Sequence, residues 1–210
     1  MSAPASANDR QSWLQVSGGV TLPGRLTLQS DFVARFSDDR GGLYEIENAL
    51  MLGYRLPRRV SVWAGYVHNP AFDAGKFTAL ERRARQQVVA DDVAMLGVMS
   101  LSARLRLEQR WRDGSRGVAW RARPYLKLAI PLGDEKAPVL NVTEELFLNL
   151  NETPFQPHAG LDRMRTAVTL SIPATDRVTF EAGLLDQRRF DGGGGNTIDH
   201  AITAQIGIAF

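Results

Sequence analysis

The stretch SARLRLEQRWRDG, residues 102–114, alternates with a period of two: Leu105, Leu107 and Trp111 share one parity, and Arg104, Arg106, Glu108, Arg110 and Arg112 share the other. A helix would scatter these charges around its circumference, whereas a strand sends successive side chains to opposite faces. The segment therefore reads as a strand with one oily face and one cationic face. The pattern recurs along the chain. Leu26, Leu28, Phe32 and Phe36 alternate with Thr27, Gln29, Asp31 and Arg35, and Tyr44, Ile46, Leu50, Leu52 and Tyr54 alternate with Glu45, Glu47 and Arg55. In VAWRARPYLKLAI the residues Trp120, Ala122, Leu126, Leu128 and Ile130 oppose Arg121, Arg123, Tyr125 and Lys127, with Pro124 marking a bulge or an unpaired amide. In LNVTEELFLNLN, Glu144 falls on the oily parity, which calls for a bulge or a rim position.

The spacers between these segments set the topology. Tight ones at 23–24, 56–59, 131–138 and 173–177 alternate with looser ones at 37–42, 69–76, 151–162 and 188–196. Alternating short and long connections describe an antiparallel, up-and-down meander with turns at one end and loops at the other. About eleven segments qualify as strands. Single-chain bacterial barrels have even strand numbers, so the expectation is a barrel of 10 to 12 strands, with either 12–22 outside the wall or two short strands merged. A strand from Leu101 to Trp111, at about 3.3 Å per residue and a tilt near 40°, spans roughly the 25 Å apolar band of an outer-membrane barrel. No run approaches the roughly 18 uninterrupted apolar residues of a spanning helix.

Composition excludes several classes. Cysteine is absent, so there are neither disulfides nor thiolate metal sites. The basic residues, nearly all Arg, are balanced by acids to a net charge of +2, and no recognition helix or zinc finger accompanies them, which argues against nucleic acid. The glycine quartet at 192–195 lacks the Lys-Ser/Thr of a phosphate loop. The histidines, His68, His158 and His200, carry no catalytic motif, and no His/Asp/Glu cluster has ligand spacing, so the expectation is a non-enzymatic protein without cofactor or metal.

Periodicity alone leaves open which face is inside, and a soluble barrel or sandwich alternates too. The last segment, NTIDHAITAQIGIAF, puts Ile198, Ile202, Ala204, Ile206, Ile208 and Phe210 on one parity. A final amphipathic strand closing on Phe resembles the signal by which the barrel assembly machinery recognises its substrates. The motifs GYRL, VWAGYVHNP, ERRARQQ, RLRLEQRW, RARPYLKLAIPL and EELFLN, in this order across 13–210, resemble the bacterial outer-membrane barrel family catalogued as domain of unknown function 2490. ERRARQQ departs from that family in lacking an aromatic near Ala84. The resemblance implies a transmembrane β-barrel in the Gram-negative outer membrane, with short periplasmic turns and longer extracellular loops. Lipid and lipopolysaccharide would be its surroundings. Ala5-Ser6-Ala7 has the A-x-A form that ends a secretory signal, so 1–7 reads as a signal remnant and 8–210 as a single barrel domain.

An arginine row facing a barrel lumen either lines a pore or fills the interior with ion pairs. The strands from Ser102 to Lys127 carry a cation excess, which favours a narrow channel or binding site for small anionic solutes. The candidate lumen residues are Arg104, Arg106, Glu108, Arg110, Arg121, Arg123, Tyr125, Lys127 and Glu145. The alternative is an occluded structural barrel held by an Arg/Glu network; a barrel enzyme or a soluble β protein ranks third. Phe210 is the assembly determinant on this reading. Its deletion is expected to lower the amount inserted in the outer membrane at constant synthesis, measured by fractionation and blotting; unchanged insertion contradicts that role.

Overall fold

The computed structural model describes residues 9–134, 136–193 and 195–210. Their regular structure consists of strands throughout: β1 (Arg10–Leu22), β2 (Leu26–Ser37), β3 (Gly42–Arg55), β4 (Val60–Asp73), β5 (Lys76–Leu96), β6 (Met99–Arg112), β7 (Ala119–Pro131), β8 (Val139–Asn149), β9 (Gly160–Pro173), β10 (Val178–Phe190) and β11 (Asn196–Ala209). Each pairs antiparallel with its neighbours in the chain, and the sheet closes on itself. The expected signal remnant, 1–7, lies outside the described residues.

The strand number is odd, which corrects the expectation that one segment would drop out or split. Residues 12–22 belong to β1, inside the wall. In an up-and-down chain an odd count leaves the first and last strands running the same way, so only a parallel ladder can join them. That ladder runs from Arg10 opposite His200 to Gly19 opposite Ala209.

Closure settles which face is inside. Leu105 is 58% exposed on the outer wall, while Glu108 is completely buried. Leu14, Leu50, Leu126, Leu184 and Ile202 also point outward, and Arg85, Asn141 and Gln187 are buried inside. The arrangement reverses that of a soluble barrel, whose oily face fills the interior. Trp111 and Trp120 sit on the outer wall beside the β6–β7 connection.

Three local features depart from simple parity. Tyr44, expected on the oily face, is turned inward by a register shift between Arg35 and Phe36, and its hydroxyl donates to Gln11 Oε1 at 2.8 Å. Glu144 needs neither a bulge nor a rim. The ladders pass straight through it, with Leu126 opposite on one side and Thr166 on the other, and it stays on the outer wall, where Oε2 accepts the Thr166 hydroxyl at 2.6 Å. Pro124 interrupts the β7–β8 ladder between Ala122 and Tyr125 without shifting its register.

The connections at 38–41, 74–75, 113–118, 150–159 and 191–195 share one end, here called upper; those at 23–25, 56–59, 97–98, 132–138 and 174–177 lie at the lower end with Phe210. The longest is upper, but the alternation is less regular than expected. The 69–76 spacer is strand through Asp73 and turns on Ala74 and Gly75 alone, both at positive φ, as the tightest hairpins require. The 131–138 spacer, expected to be tight, is one of the longer connections.

At the upper rim, Asp9 ties the start of β1 to the β2–β3 turn by accepting from Ser37 Oγ at 2.7 Å, Gln11 Nε2 at 2.7 Å and the Asp39 amide at 3.2 Å. Burial pushes its carboxyl up, but these bonds and the charge of Arg189 outweigh that and hold it below the usual carboxylate range.

At Gly183 a Cβ would collide with the Val168 carbonyl oxygen of the neighbouring strand, whereas at Gly19 nothing stands within 4 Å. Gly183→Ala is therefore expected to force β9 and β10 apart and to lower the temperature at which the folded form is lost on heat-modifiability gels, with Gly19→Ala unchanged. Equal melting of the two variants contradicts this account.

Candidate functional site: a charged septum across the lumen

Burying guanidinium and carboxylate groups costs several kcal/mol per ion unless each finds a partner of good geometry. The lumen meets this demand by sharing. Glu108 Oε1 takes Arg85 Nη2 at 3.0 Å and Arg123 Nη1 at 3.0 Å, and its Oε2 takes Arg121 Nη2 at 2.8 Å. Glu145 binds Arg123 through two bonds, Nη2 at 2.8 Å and Nε at 3.2 Å, and also Arg104. Glu47 bridges Arg85 at 2.9 Å, Arg83 at 3.2 Å and Arg35 at 3.5 Å. Glu81 grips Arg110 with both oxygens at 2.8 Å and holds Arg83 at 2.6 Å and Arg112 at 3.2 Å. Glu45 pairs with Arg35. Eight arginines thus meet five glutamates, and the network carries a positive surplus.

Aromatic rings carry part of this charge. Phe147, 1% exposed, lies under Arg123 at 4.2 Å and Arg165 at 4.6 Å from its centroid. Trp13 receives Arg35 and Arg165, each at 4.6 Å, and Tyr125 receives Arg104 at 4.4 Å. Desolvated cation–π contacts of this kind contribute up to about 2 kcal/mol each.

The network divides the interior. A lower cavity of about 700 Å³ and an upper one of about 190 Å³ share Arg35, Glu47, Arg123 and Arg165 in their walls, and these four form the septum between them. Of the residues singled out from sequence, Arg104, Arg106, Arg123, Tyr125, Lys127 and Glu145 line the lower cavity. Arg110 and Arg121 line the upper one with Arg123, and Glu108 is sealed within the network. Among the described residues, Arg106, Arg165 and Lys127 reach no carboxylate; Arg106 donates to Gln87 Oε1 at 2.9 Å and Arg165 to Gln187 Oε1 at 2.8 Å. Phe210 lies at the lower end, its ring outward and its amide bonded to the Gly19 carbonyl at 2.8 Å.

Sequence reasoning missed Trp13, Arg83, Arg85, Phe147 and Arg165. Each stands on the polar parity of its strand, but an isolated aromatic or arginine there carries no motif. The histidines stand apart from the septum: His200 Nδ1 is 2.6 Å from Asp186 Oδ1 on the outer wall, and His158 Nε2 is 3.7 Å from Asp162.

A closed, mostly antiparallel barrel with an oily exterior and an ion-paired interior defines the class of this protein. Residues 10–198 match the family described as protein of unknown function DUF2490, and the chain belongs to that family. It is also similar to an uncharacterised protein of Methylorubrum extorquens, 27% identical over 173 residues that cover 80% of this chain and 75% of the relative. No solved structure matches it.

Glu108→Gln leaves three buried guanidiniums without their shared charge and is expected to cost about 3 to 5 kcal/mol of stability. Glu45, with a quarter of its side chain exposed, carries less of the network, so Glu45→Gln should cost clearly less. Urea unfolding in micelles, followed by tryptophan emission, measures both; equal losses contradict the septum's energetic role.

Proposed function

We propose that this protein is a Gram-negative outer-membrane barrel that holds small anionic solutes in its lower cavity and is closed to free passage at mid-height. The observation that carries this reading is the septum: the four residues common to both cavities cross the lumen, Arg165 among them without a carboxylate partner, while Arg106 and Lys127 face the lower side, also without one. The apolar outer wall fits the hydrocarbon of a bilayer, with lipopolysaccharide around the loop end, and a terminal Phe fits recognition by the assembly machinery. The ion-paired network between the two cavities supports the occluded barrel and a binding site over the narrow anion channel also expected from sequence. The role is one of binding, without catalysis. An unbalanced cationic cavity walled by low-dielectric protein concentrates anions, and the effect fades with salt as the screening length falls from about 10 Å at 0.1 M to about 3 Å at 1 M.

Two measurements test this reading. The detergent-extracted membrane fraction should contain a form that migrates differently before and after boiling, and the purified barrel in a planar bilayer should pass no steady current. Recovery from the soluble fraction overturns the location, and a steady anion-selective conductance overturns the closure. Trp13 and Trp63 line the lower cavity. Iodide should therefore quench tryptophan emission more than caesium at low salt, and Arg106→Gln with Lys127→Gln should reduce the iodide effect severalfold. Quenching unchanged by those substitutions removes the anion site.

A further inference from the structure

The upper cavity is the more cationic of the two and lies across the septum from the lower site. Ten arginines and three glutamates line its 190 Å³ or so. Four of those arginines, Arg35, Arg112, Arg163 and Arg189, each keep a buried Nε–H without an acceptor among the described residues. Arg35 is only 7% exposed, so its orphan donor has little access to bulk water. An unpaired buried donor costs about 1 to 3 kcal/mol, and more when it is charged. The excess of ten arginines over three glutamates, with these donors unanswered behind the lining, points to a missing anion.

The four stand on β2, β6, β9 and β10, well apart around the wall. A planar carboxylate presents two oxygens to one side and cannot answer donors arriving from so many directions. A tetrahedral oxyanion carries acceptor lone pairs in all of them, and the planar guanidinium fork matches its oxygens in pairs. The cavity exceeds the volume of one such group, leaving room for a water or for the first atoms of an ester. Carboxylate competition is partial: Glu45, Glu47 and Glu81 are already engaged by Arg35, Arg83, Arg85, Arg110 and Arg112, Asp199 is shared by Arg189 and Gln187, and Asp162 stands 3.8 Å from Arg163 Nε, too far for a hydrogen bond. We infer that the upper cavity is a binding site for a phosphate group, entered from the loop end and independent of the lower cavity. The group comes either from free phosphate or from a phosphomonoester lipid headgroup of the surrounding leaflet.

Calorimetric titration of the purified barrel, in a phosphate-free detergent at low ionic strength, with inorganic phosphate tests this assignment. Saturable binding is expected, weakened at least tenfold by Arg163→Gln with Arg189→Gln and unchanged by Arg82→Gln on the outer wall. Heat-modifiability identifies folded variants. Arg163→Lys, which keeps the charge and loses the fork, should give an intermediate loss and serves if the double variant does not fold. Displacement of phosphate by phosphatidic acid in mixed micelles assigns the site to a headgroup, and failure of that lipid to compete assigns it to the free ion. Absence of phosphate binding, or binding that survives Arg163→Gln with Arg189→Gln undiminished, overturns the assignment. Because the titration requires neither a membrane location nor an occupied lower cavity, its failure is distinguishable from failure of the function proposed above.

Discussion

Everything inside this barrel depends on one constraint: a carboxylate removed from water must accept enough guanidinium hydrogen bonds to offset its lost hydration. Glu108 shows how this is achieved, with three arginines from two neighbouring strands closing on its two oxygens. The strands must hold a register that puts acids opposite bases, as Glu108 is opposite Arg121 and Arg85, Glu81 opposite Arg112, and Glu45 opposite Arg35. A slip of one residue would turn the charges onto the apolar wall and the leucines into the lumen. The ion pairs therefore specify the sheet as much as they stabilise it.

Much of this was legible in the sequence because parity is conserved along a strand. The alternation of Arg104 to Arg112 against Leu105 and Leu107 predicts two faces, and closure of the sheet decides which is inner. Tyr44 was misplaced because a register shift in the neighbouring ladder is invisible in its own segment. An acid on an oily face is expensive, so the sequence predicts a bulge or rim at Glu144, yet a threonine on the adjacent strand supplies its partner without changing the ladder. That partner lies across a strand boundary, where sequence spacing carries no information.

The septum was less legible than the wall. Individual lumen residues follow from parity, but the groups that meet across the interior belong to strands far apart in the chain: Arg85 reaches Glu47, and Arg110 reaches Gln156 in the β8–β9 connection. Phe147 is a further case. Between Glu145 and Asn149 it reads as an apolar intruder on a polar face, whereas in the barrel it is the cushion on which four arginines rest. Open and filled lumens share one alternation pattern, and only the size of the enclosed space distinguishes them.

The parallel seam between β1 and β11 bears on how the chain reaches this state. Every other ladder joins strands consecutive in the chain, so the sheet can grow by successive hairpins, each paying only a short loop closure. The seam joins the first strand to the last, the pairing most distant in sequence, and so it comes at the end of the process. Until then the growing sheet has two unpaired edges and a lumen open along its length, with the arginines of β6 and β7 still in reach of water. Closing the seam is thus the event that dehydrates the interior, and the energetic demand of the septum falls on a single late step.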